Sequence, residues 1–187
     1  INGRREIYMI KQQQDKIVIC KAQKDDFDKI RKLYWDLIDQ EKEEQSFPHW
    51  KKKIHPSDEM IENSIDNGEM YVLTDEGDVA ACVIANGEKV DGYADVPWQI
   101  ETDAVIVIHV LAVHPHHRGK GLARKLMEKV IEQERANDIK AIRLDVIENN
   151  TMAEKLYQKL GFQYIQTKSL YYTVVGEKKF KLYELVL

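Results

Sequence analysis

Four consecutive residues, Arg118-Gly119-Lys120-Gly121, stand between an apolar run that ends at Val113 and an amphipathic run that begins at Leu122. A turn at that junction opens a helix. The first N–H groups of a helix have no partner of their own, and its dipole places partial positive charge on them. Such a turn is therefore built to hold an anion, and two glycines let the chain approach it without a Cβ in the way. The pyrophosphate of a cofactor is the expected occupant.

Three other groups of residues could do chemistry. His109 is the single titratable residue in the run 104–113, and an imidazole with an ordinary pKa near 6.5 suits the acceptance of a proton near neutral pH. Glu101 and Asp103, at the entry to that run, are alternatives acting through water. His114, His116 and His117 around Pro115 have a composition that metal sites use, but a three-histidine site needs converging side chains. The same turn is already assigned to phosphate, so they are read as a polar surface turn. Cys20 and Cys82 lie inside apolar runs and read as small hydrophobes rather than nucleophiles. Two dispersed cysteines make neither a disulfide framework nor a zinc site.

The elements that must position these residues follow from periodicity. Ile17 to Lys21 reads as a strand, and Phe27, Ile30, Tyr34, Leu37 and Ile38 share one helical face between Asp25 and about Lys42. After a polar connection with Phe47, Pro48 and Trp50, a second helix is expected from Ser57 or Asp58 to Asp66, stopped by Asn67-Gly68. Met70 to Thr74 and Val79 to Ala85 read as a hairpin around Asp75-Glu76-Gly77-Asp78. A long loop, 87–101, follows. Ala104 to Val113 is almost wholly apolar, the pattern of a strand covered on both faces. The next helix lines up Leu122, Leu126 and Val130 beside Ala123, Met127 and Ile131. Ala141 to Ile147 is a further strand, parallel to the one ending at Val113 because a helix connects them. Thr151 with Glu154 reads as a capping box for a helix ending at Gly161. Phe162 to Thr173 and Lys179 to Val186 close the chain as strands joined through Gly176.

Val113-His114-Pro115 followed by Arg118-Gly119-Lys120-Gly121-Leu122-Ala123 resembles the acetyl-CoA motif of the GNAT acetyltransferase superfamily, Arg/Gln-x-x-Gly-x-Gly/Ala. About 30 residues further on, Asn150-x-x-Ala153-x-x-Leu156-Tyr157-x-Lys159-x-Gly161-Phe162 resembles the second conserved block of that superfamily. The resemblance spans residues 17 to 187 and is sharp from about 104 to 162. No Ser or Thr follows Gly-Lys to hold magnesium, and the spacing of a dinucleotide fingerprint is absent. The resemblance implies an α/β GNAT acyl-CoA N-acyltransferase fold, a mixed and mostly antiparallel sheet of six to seven strands with helices on both faces. It also implies acetyl-CoA as cosubstrate, without a metal. Its pantetheine arm would pair with the backbone of Leu111, Ala112 and Val113, its diphosphate would take N–H bonds from Arg118 through Ala123, and an N–H of Leu111 or a neighbour would face the developing oxyanion.

By the same resemblance, Tyr157 stands where many members place a tyrosine near the cofactor sulfur. A phenol of pKa about 10 can protonate a thiolate of pKa about 8.5. The same tyrosine shares a face with Ala153, Leu156 and Leu160 and reads equally as core. Asn150 reads either as a helix cap or as a cofactor contact. Members that use a base often place a glutamate on the central strand. Residues 104–113 contain no carboxylate, so His109 stands as a candidate base beside Glu101 and Asp103, and some members need no strong base.

The 187 residues suit one domain with a substantial core, and 28 Lys plus Arg against 32 Asp plus Glu leave a net charge of −4. That balance favours neither nucleic acid nor an anionic membrane as partner. A small-molecule or peptide amine is the expected substrate, with a homodimer left open. No apolar run approaches the roughly 18 residues of a membrane helix, and the N-terminal segment lacks a signal-peptide core, so the chain reads as cytoplasmic. Residues 1–16 are set aside as an N-terminal extension, an expression remnant or upstream segment, with Met9 a candidate start. Acceptor selection is expected from 40–56, from the loop 87–101 and from the terminal hairpin. Glu88, Asp91, Asp95, Glu101 and Asp103 give the loop region a negative cast that attracts a protonated amine. Lys51, Lys52 and Lys53 read as a solvated run that could also reach the ribose phosphate. Two further readings stand beside acetyl transfer: a CoA-binding regulatory module with little turnover, and an acyltransferase taking a longer acyl-CoA.

Overall fold

The computed structural model describes residues 8–9, 17–41, 49–88 and 90–187. The expectations that fall on Lys42, Phe47, Pro48 and most of 1–16 lie outside these residues. In chain order the elements are β1 (Tyr8–Met9), β2 (Ile17–Lys21), α1 (Phe27–Glu41), α2 (Asp58–Asp66), β3 (Met70–Asp75), β4 (Asp78–Asn86) and β5 (Val105–Val113). Then come α3 (Leu122–Ala136), β6 (Ala141–Ile147), α4 (Thr151–Lys159), β7 (Gln163–Tyr172) and β8 (Gly176–Val186). They form one mixed sheet of order β1-β2-β3-β4-β5-β6-β8-β7. Every pairing is antiparallel except that of β5 with β6.

Seven of the strands have five or more residues, and the two-residue β1 adds an edge from the segment set aside as an extension. Two boundaries differ from expectation. Thr151 is not a cap: it is the first residue of α4, and the Asn150 side chain before it accepts the Ala153 N–H at 3.2 Å. Glu154 turns instead to Lys181 Nζ at 2.9 Å on β8. The last strand begins at Gly176, three residues earlier than its apolar pattern, because Glu177 and Lys178 face water while still pairing with β7.

Helices cover both faces. On one, α3 and α4 lay Leu122, Leu126, Met127, Val130 and Tyr157 onto Ile106, Ile108, Ile142 and Leu144. On the other, α1 and α2 lay Ile30, Leu33, Tyr34, Ile61 and Ile65 onto Val72, Cys82, Ile84, Val110 and Ala112. Fully burying a side chain such as Leu126 or Ile30 contributes about 2 kcal/mol, which is what fixes each amphipathic helix to its face.

Beyond α2 the second face is closed by the loop 90–101, whose Tyr93, Val96 and Trp98 sit on Val107, Phe180 and Leu182. A buried ion pair pins this loop. Arg143 Nε meets Glu184 Oε1 at 2.8 Å, while Glu184 Oε2 accepts the Gln99 N–H at 2.6 Å. Arg143 also donates to the Ile100 carbonyl at 3.0 Å and lies 4.4 Å from the Trp98 ring.

Candidate active site

β5 changes phase in its middle. Ile106 and Ile108 face α3, yet Val110 and Ala112 face α1, an alternation that one extra residue must interrupt. The register with β4 shifts between Cys82 and Ile84, and Val110 takes φ +47°. This is a β-bulge carried by a β-branched residue, a conformation that persists only where its surroundings hold it. The buried hydroxyl of Tyr34 donates to the Val110 carbonyl at 2.8 Å and does so from α1. Tyr34→Phe is expected to lose about 1 to 2 kcal/mol of stability, because that carbonyl is left buried and unpaired. Urea denaturation at neutral pH measures it, and an unchanged midpoint removes the hydroxyl from the account.

The bulge bends β5 away from β6. Their ladder holds only three residue pairs, Val105 with Ala141, Ile106 with Ile142 and Val107 with Arg143. Beyond Val107 the two strands part, although β6 continues to pair with β8 as far as Ile147. A slot therefore opens in the sheet, with the backbone of 108–113 along one side. Leu111, Ala112 and Val113 line that edge and lead directly to the glycine turn.

Gly119 and Gly121 have φ +79° and +71°, the left-handed region where other residues are strained. A Cβ added at either would meet no atom within 4 Å, so the space over the turn is open. Gly121 is the N-cap of α3, no side chain caps it, and the first turn carries no acidic residue. The helix start is thus an uncapped set of N–H donors facing open space, which fits a diphosphate. Leu122 is buried in the core and Ala123 follows it at the helix start. Arg118 is exposed, whereas Lys120 Nζ reaches Asp75 at 3.3 Å together with His117 Nδ1 at 3.1 Å. His114 Nε2 lies 3.0 Å from Asp36 on α1. These two histidines tie the turn to neighbouring elements. Among the described residues no group of three or more His, Cys, Asp or Glu could hold a metal ion. Lys52 is engaged by Asp39 and sits 5.3 Å from the Trp35 ring.

His109 and Tyr157 are placed on opposite faces around the slot. His109 stands opposite Ile84, on the face of α1 and α2, and its Nε2 is the one buried side-chain polar atom without a partner among the described residues. Burial lowers its pKa to about 4, partly opposed by the charge of Glu69. The imidazole is therefore neutral at physiological pH and a weaker base than an ordinary histidine. Beside its strand partner a cavity of about 580 Å³ opens among Ser57, Met60, Asn63, Glu69, Ile84 and Asn86. Tyr157 on α4 is buried, with its ring 5.5 Å from Phe162. Burial first, then the charge of Asp145, push its pKa up. It remains a phenol and a proton donor. Asn150 caps α4 through its side-chain oxygen, so the capping reading holds, and its amide nitrogen makes no hydrogen bond to a described residue.

The depressed histidine has a consequence for stability. An unfolded imidazole titrates near pH 6.5, so between pH 6.5 and about 4 the unfolded chain binds the proton that the folded chain does not. The contribution of His109 is fully present above pH 6.5 and is lost as pH falls towards 4. The full difference amounts to about 3 kcal/mol. His109→Gln is expected to flatten the fall in unfolding free energy between pH 7 and pH 4.5 relative to wild type. Parallel curves for the two proteins would count against a buried neutral imidazole.

The sequence reading missed Asp145. Its Oδ2 accepts the Tyr93 hydroxyl at 2.7 Å and the Tyr172 hydroxyl at 2.6 Å, one from the loop 90–101 and one from the terminal hairpin. The signal was a lone carboxylate inside the apolar run Ala141 to Ile147, a placement that is costly unless its charge is used or paired.

Comparison with known proteins agrees with this geometry. The Acetyltransferase (GNAT) family profile matches residues 27–162. A ribosomal protein bS18-alanine N-acetyltransferase of Haemophilus ducreyi is 40% identical over 62 residues, 33% of this chain and 43% of that protein. The chain matches about half the length of the curated relatives. A GNAT-family acetyltransferase structure from Streptococcus agalactiae aligns with a TM-score of 0.78 at 23% identity, over 97% of this chain and 99% of that one. A Salmonella typhimurium structure, described as an acetyltransferase with its cofactor acetyl-CoA, aligns with a TM-score of 0.66 at 19% identity, over 91% and 94% of the two chains. The family profile covers the split sheet and the glycine turn together, and this chain belongs to the GNAT acetyltransferase family.

Proposed function

We propose that this protein transfers an acetyl group from acetyl-CoA to a primary amine of a small molecule or peptide, by direct attack within a ternary complex. The observation that carries the proposal is the parting of β5 from β6 after Val107, which leads straight to an uncapped, glycine-built helix start. Acetyl-CoA, when bound, supplies the activated thioester. The N–H groups from Arg118 to Ala123 hold its diphosphate, and the freed edge of Leu111, Ala112 and Val113 holds its pantetheine arm. The bulge turns the backbone around Val110 and Leu111 towards the slot, where an N–H stabilises developing negative charge on the carbonyl oxygen. Tyr157 keeps its proton until a thiolate needs it. His109 offers a neutral imidazole on the acceptor side. Holding both substrates together itself supplies a large part of the rate.

The acceptor enters from the face of α1, α2 and the loop 90–101. Glu69 on the cavity wall and the acidic loop favour a cationic amine there. The test is release of free thiol from acetyl-CoA on addition of spermidine, L-lysine, kanamycin or a tetrapeptide with a free N-terminal alanine. Acceptor-dependent release supports transfer. Tight CoA binding with no release across the set supports a regulatory module instead, and release only with a longer acyl-CoA shifts the donor.

A further inference from the structure

The bulge in β5 leaves one peptide group that the sheet does not hold. Cys82 lies opposite Ala112 and Ile84 opposite His109, so Val83 alone stands against Val110 and Leu111. On the other side β6 offers nothing, because its ladder with β5 ends at Val107. The peptide joining Val110 to Leu111 therefore needs another group to fix its direction. Tyr34 is that group. It reaches across from α1, is 1% exposed, and donates its hydroxyl proton to the Val110 carbonyl at 2.8 Å.

Holding that carbonyl also aims the amide behind it. The peptide is trans, and in a planar trans peptide the C=O of one residue and the N–H of the next point in opposite directions. The Val110 carbonyl points at α1, so the Leu111 N–H points away from α1. The strand pattern gives the same sense. The His114 N–H bonds the Ala80 carbonyl at 2.8 Å, and Ala112 lies opposite Cys82, so residues 112 and 114 spend their backbone groups on β4. Alternate residues of an antiparallel pair turn theirs to the opposite edge. For Leu111 that edge borders the slot left by the parting of β5 and β6. The Leu111 side chain packs into the core under α3 and α4, while Val110 and Ala112 pack towards α1.

We propose that Tyr34 is a positioning residue for acetyl transfer: by holding the Val110 carbonyl from α1 it aims the Leu111 N–H at the acetyl carbonyl oxygen and strengthens it as a donor. The proposal rests on the acetyl-transfer reading. As the amine lone pair forms the C–N bond, the carbonyl π electrons move onto oxygen, where the Leu111 N–H meets them. They return as the C–S bond breaks and its electrons leave on sulfur. Tyr157 protonates the sulfur, and the protons lost by nitrogen pass to water. An amide whose carbonyl already accepts a hydrogen bond is polarised and donates more strongly through its N–H. Tyr34 thus acts on the reaction through one peptide group without touching a substrate.

Burial raises the pKa of the Tyr34 hydroxyl, and the neighbouring Cys82 adds to the rise. Burial likewise pushes the Cys82 thiol up to about 12. Both groups keep their protons, so the hydroxyl remains the donor and the carbonyl the acceptor. α1 lies on the face from which the acceptor is proposed to enter, so the helix beside the amine also sets the donor that meets the acetyl oxygen.

The experiment uses a CoA ketone in which a methylene replaces the thioester sulfur, bound to the full chain and read by isotope-edited infrared spectroscopy of its labelled carbonyl. In wild type the carbonyl stretch is expected below that of the free ligand, the signature of a hydrogen bond to its oxygen. In Tyr34→Phe it should move back towards the free value. With acetyl-CoA and the best acceptor among spermidine, L-lysine, kanamycin and the alanine tetrapeptide, kcat should fall by about 10-fold, less than the loss of an oxyanion donor outright, while the KM for acetyl-CoA stays within about twofold. Ile30→Val loosens the same helix one turn earlier and leaves the hydroxyl in place, so it should keep both the wild-type stretch and the wild-type kcat. A Tyr34→Phe stretch equal to that of wild type overturns the proposal and leaves acetyl transfer standing. Equal losses in Ile30→Val and Tyr34→Phe also overturn it, since stability alone would then account for them. A wild-type protein that does not bind the ketone, or leaves its stretch unmoved, defeats the acetyl-transfer reading first and this proposal with it.

Discussion

Gly121→Asp is expected to reduce CoA affinity by at least about 100-fold, or about 2.7 kcal/mol, with little change in thermal stability. The substitution places a carboxylate at the N-cap of α3, in space that is now empty. Aspartate visits the left-handed region more readily than most residues, and the conformational cost is about 1 to 2 kcal/mol. A negative charge at a helix start returns about 0.3 to 1 kcal/mol, so the fold loses little. The ligand loses much more. One unit charge about 4 Å from another at a protein surface interacts with about 4 kcal/mol, and a diphosphate brings more than one. If the glycines merely make a tight turn, the same variant would bind CoA as wild type does. Paired calorimetric and melting measurements on the two proteins separate the readings.

Tyr157→Phe should lower kcat by about 100-fold to 1000-fold while the affinity for CoA stays within about twofold. The phenyl ring is kept against Phe162, so packing on α4 changes little. The hydroxyl makes no hydrogen bond to a described residue, and its raised pKa keeps it protonated. Removing it therefore takes away a donor and leaves no protein group unpaired. A leaving thiolate would then have to find its proton in water. Steady-state kinetics with saturating acetyl-CoA decides the matter, and an unchanged kcat retires the acid role.

The elements themselves were readable because their signals are local. The amphipathic runs of α1 and α3, the apolar β5 and the turn chemistry between β3 and β4 each report on a few neighbouring residues. The glycine turn was readable for the same reason: two glycines before a helix have a conformational meaning of their own. What escaped depended on pairing across the sheet. The phase change in β5 cannot be seen in a run that is apolar on both sides of His109, since either face accepts those residues. It becomes visible only when Ile84 is found opposite His109 and Cys82 opposite Ala112. Asp145 gave a local signal, but its tyrosine partners lie 52 and 27 residues away, and only the folded sheet brings them together. His109 illustrates the reverse. Its position on the strand was plain, yet burial, which the sequence does not display, lowers its basicity and alters the part it can play. The cap at Asn150 became definite only when the Ala153 N–H was found on its side-chain oxygen.

The central claim is that the glycine turn and the parted strands together hold an acyl-CoA. Calorimetric titration of the folded wild-type protein with acetyl-CoA tests it most directly. The account predicts one-to-one binding with a Kd on the order of micromolar, about −8 kcal/mol, displaced by CoA and weakened by Gly121→Asp. No heat and no thermal shift with acetyl-CoA or CoA at millimolar concentration, on protein shown to be folded, would contradict it.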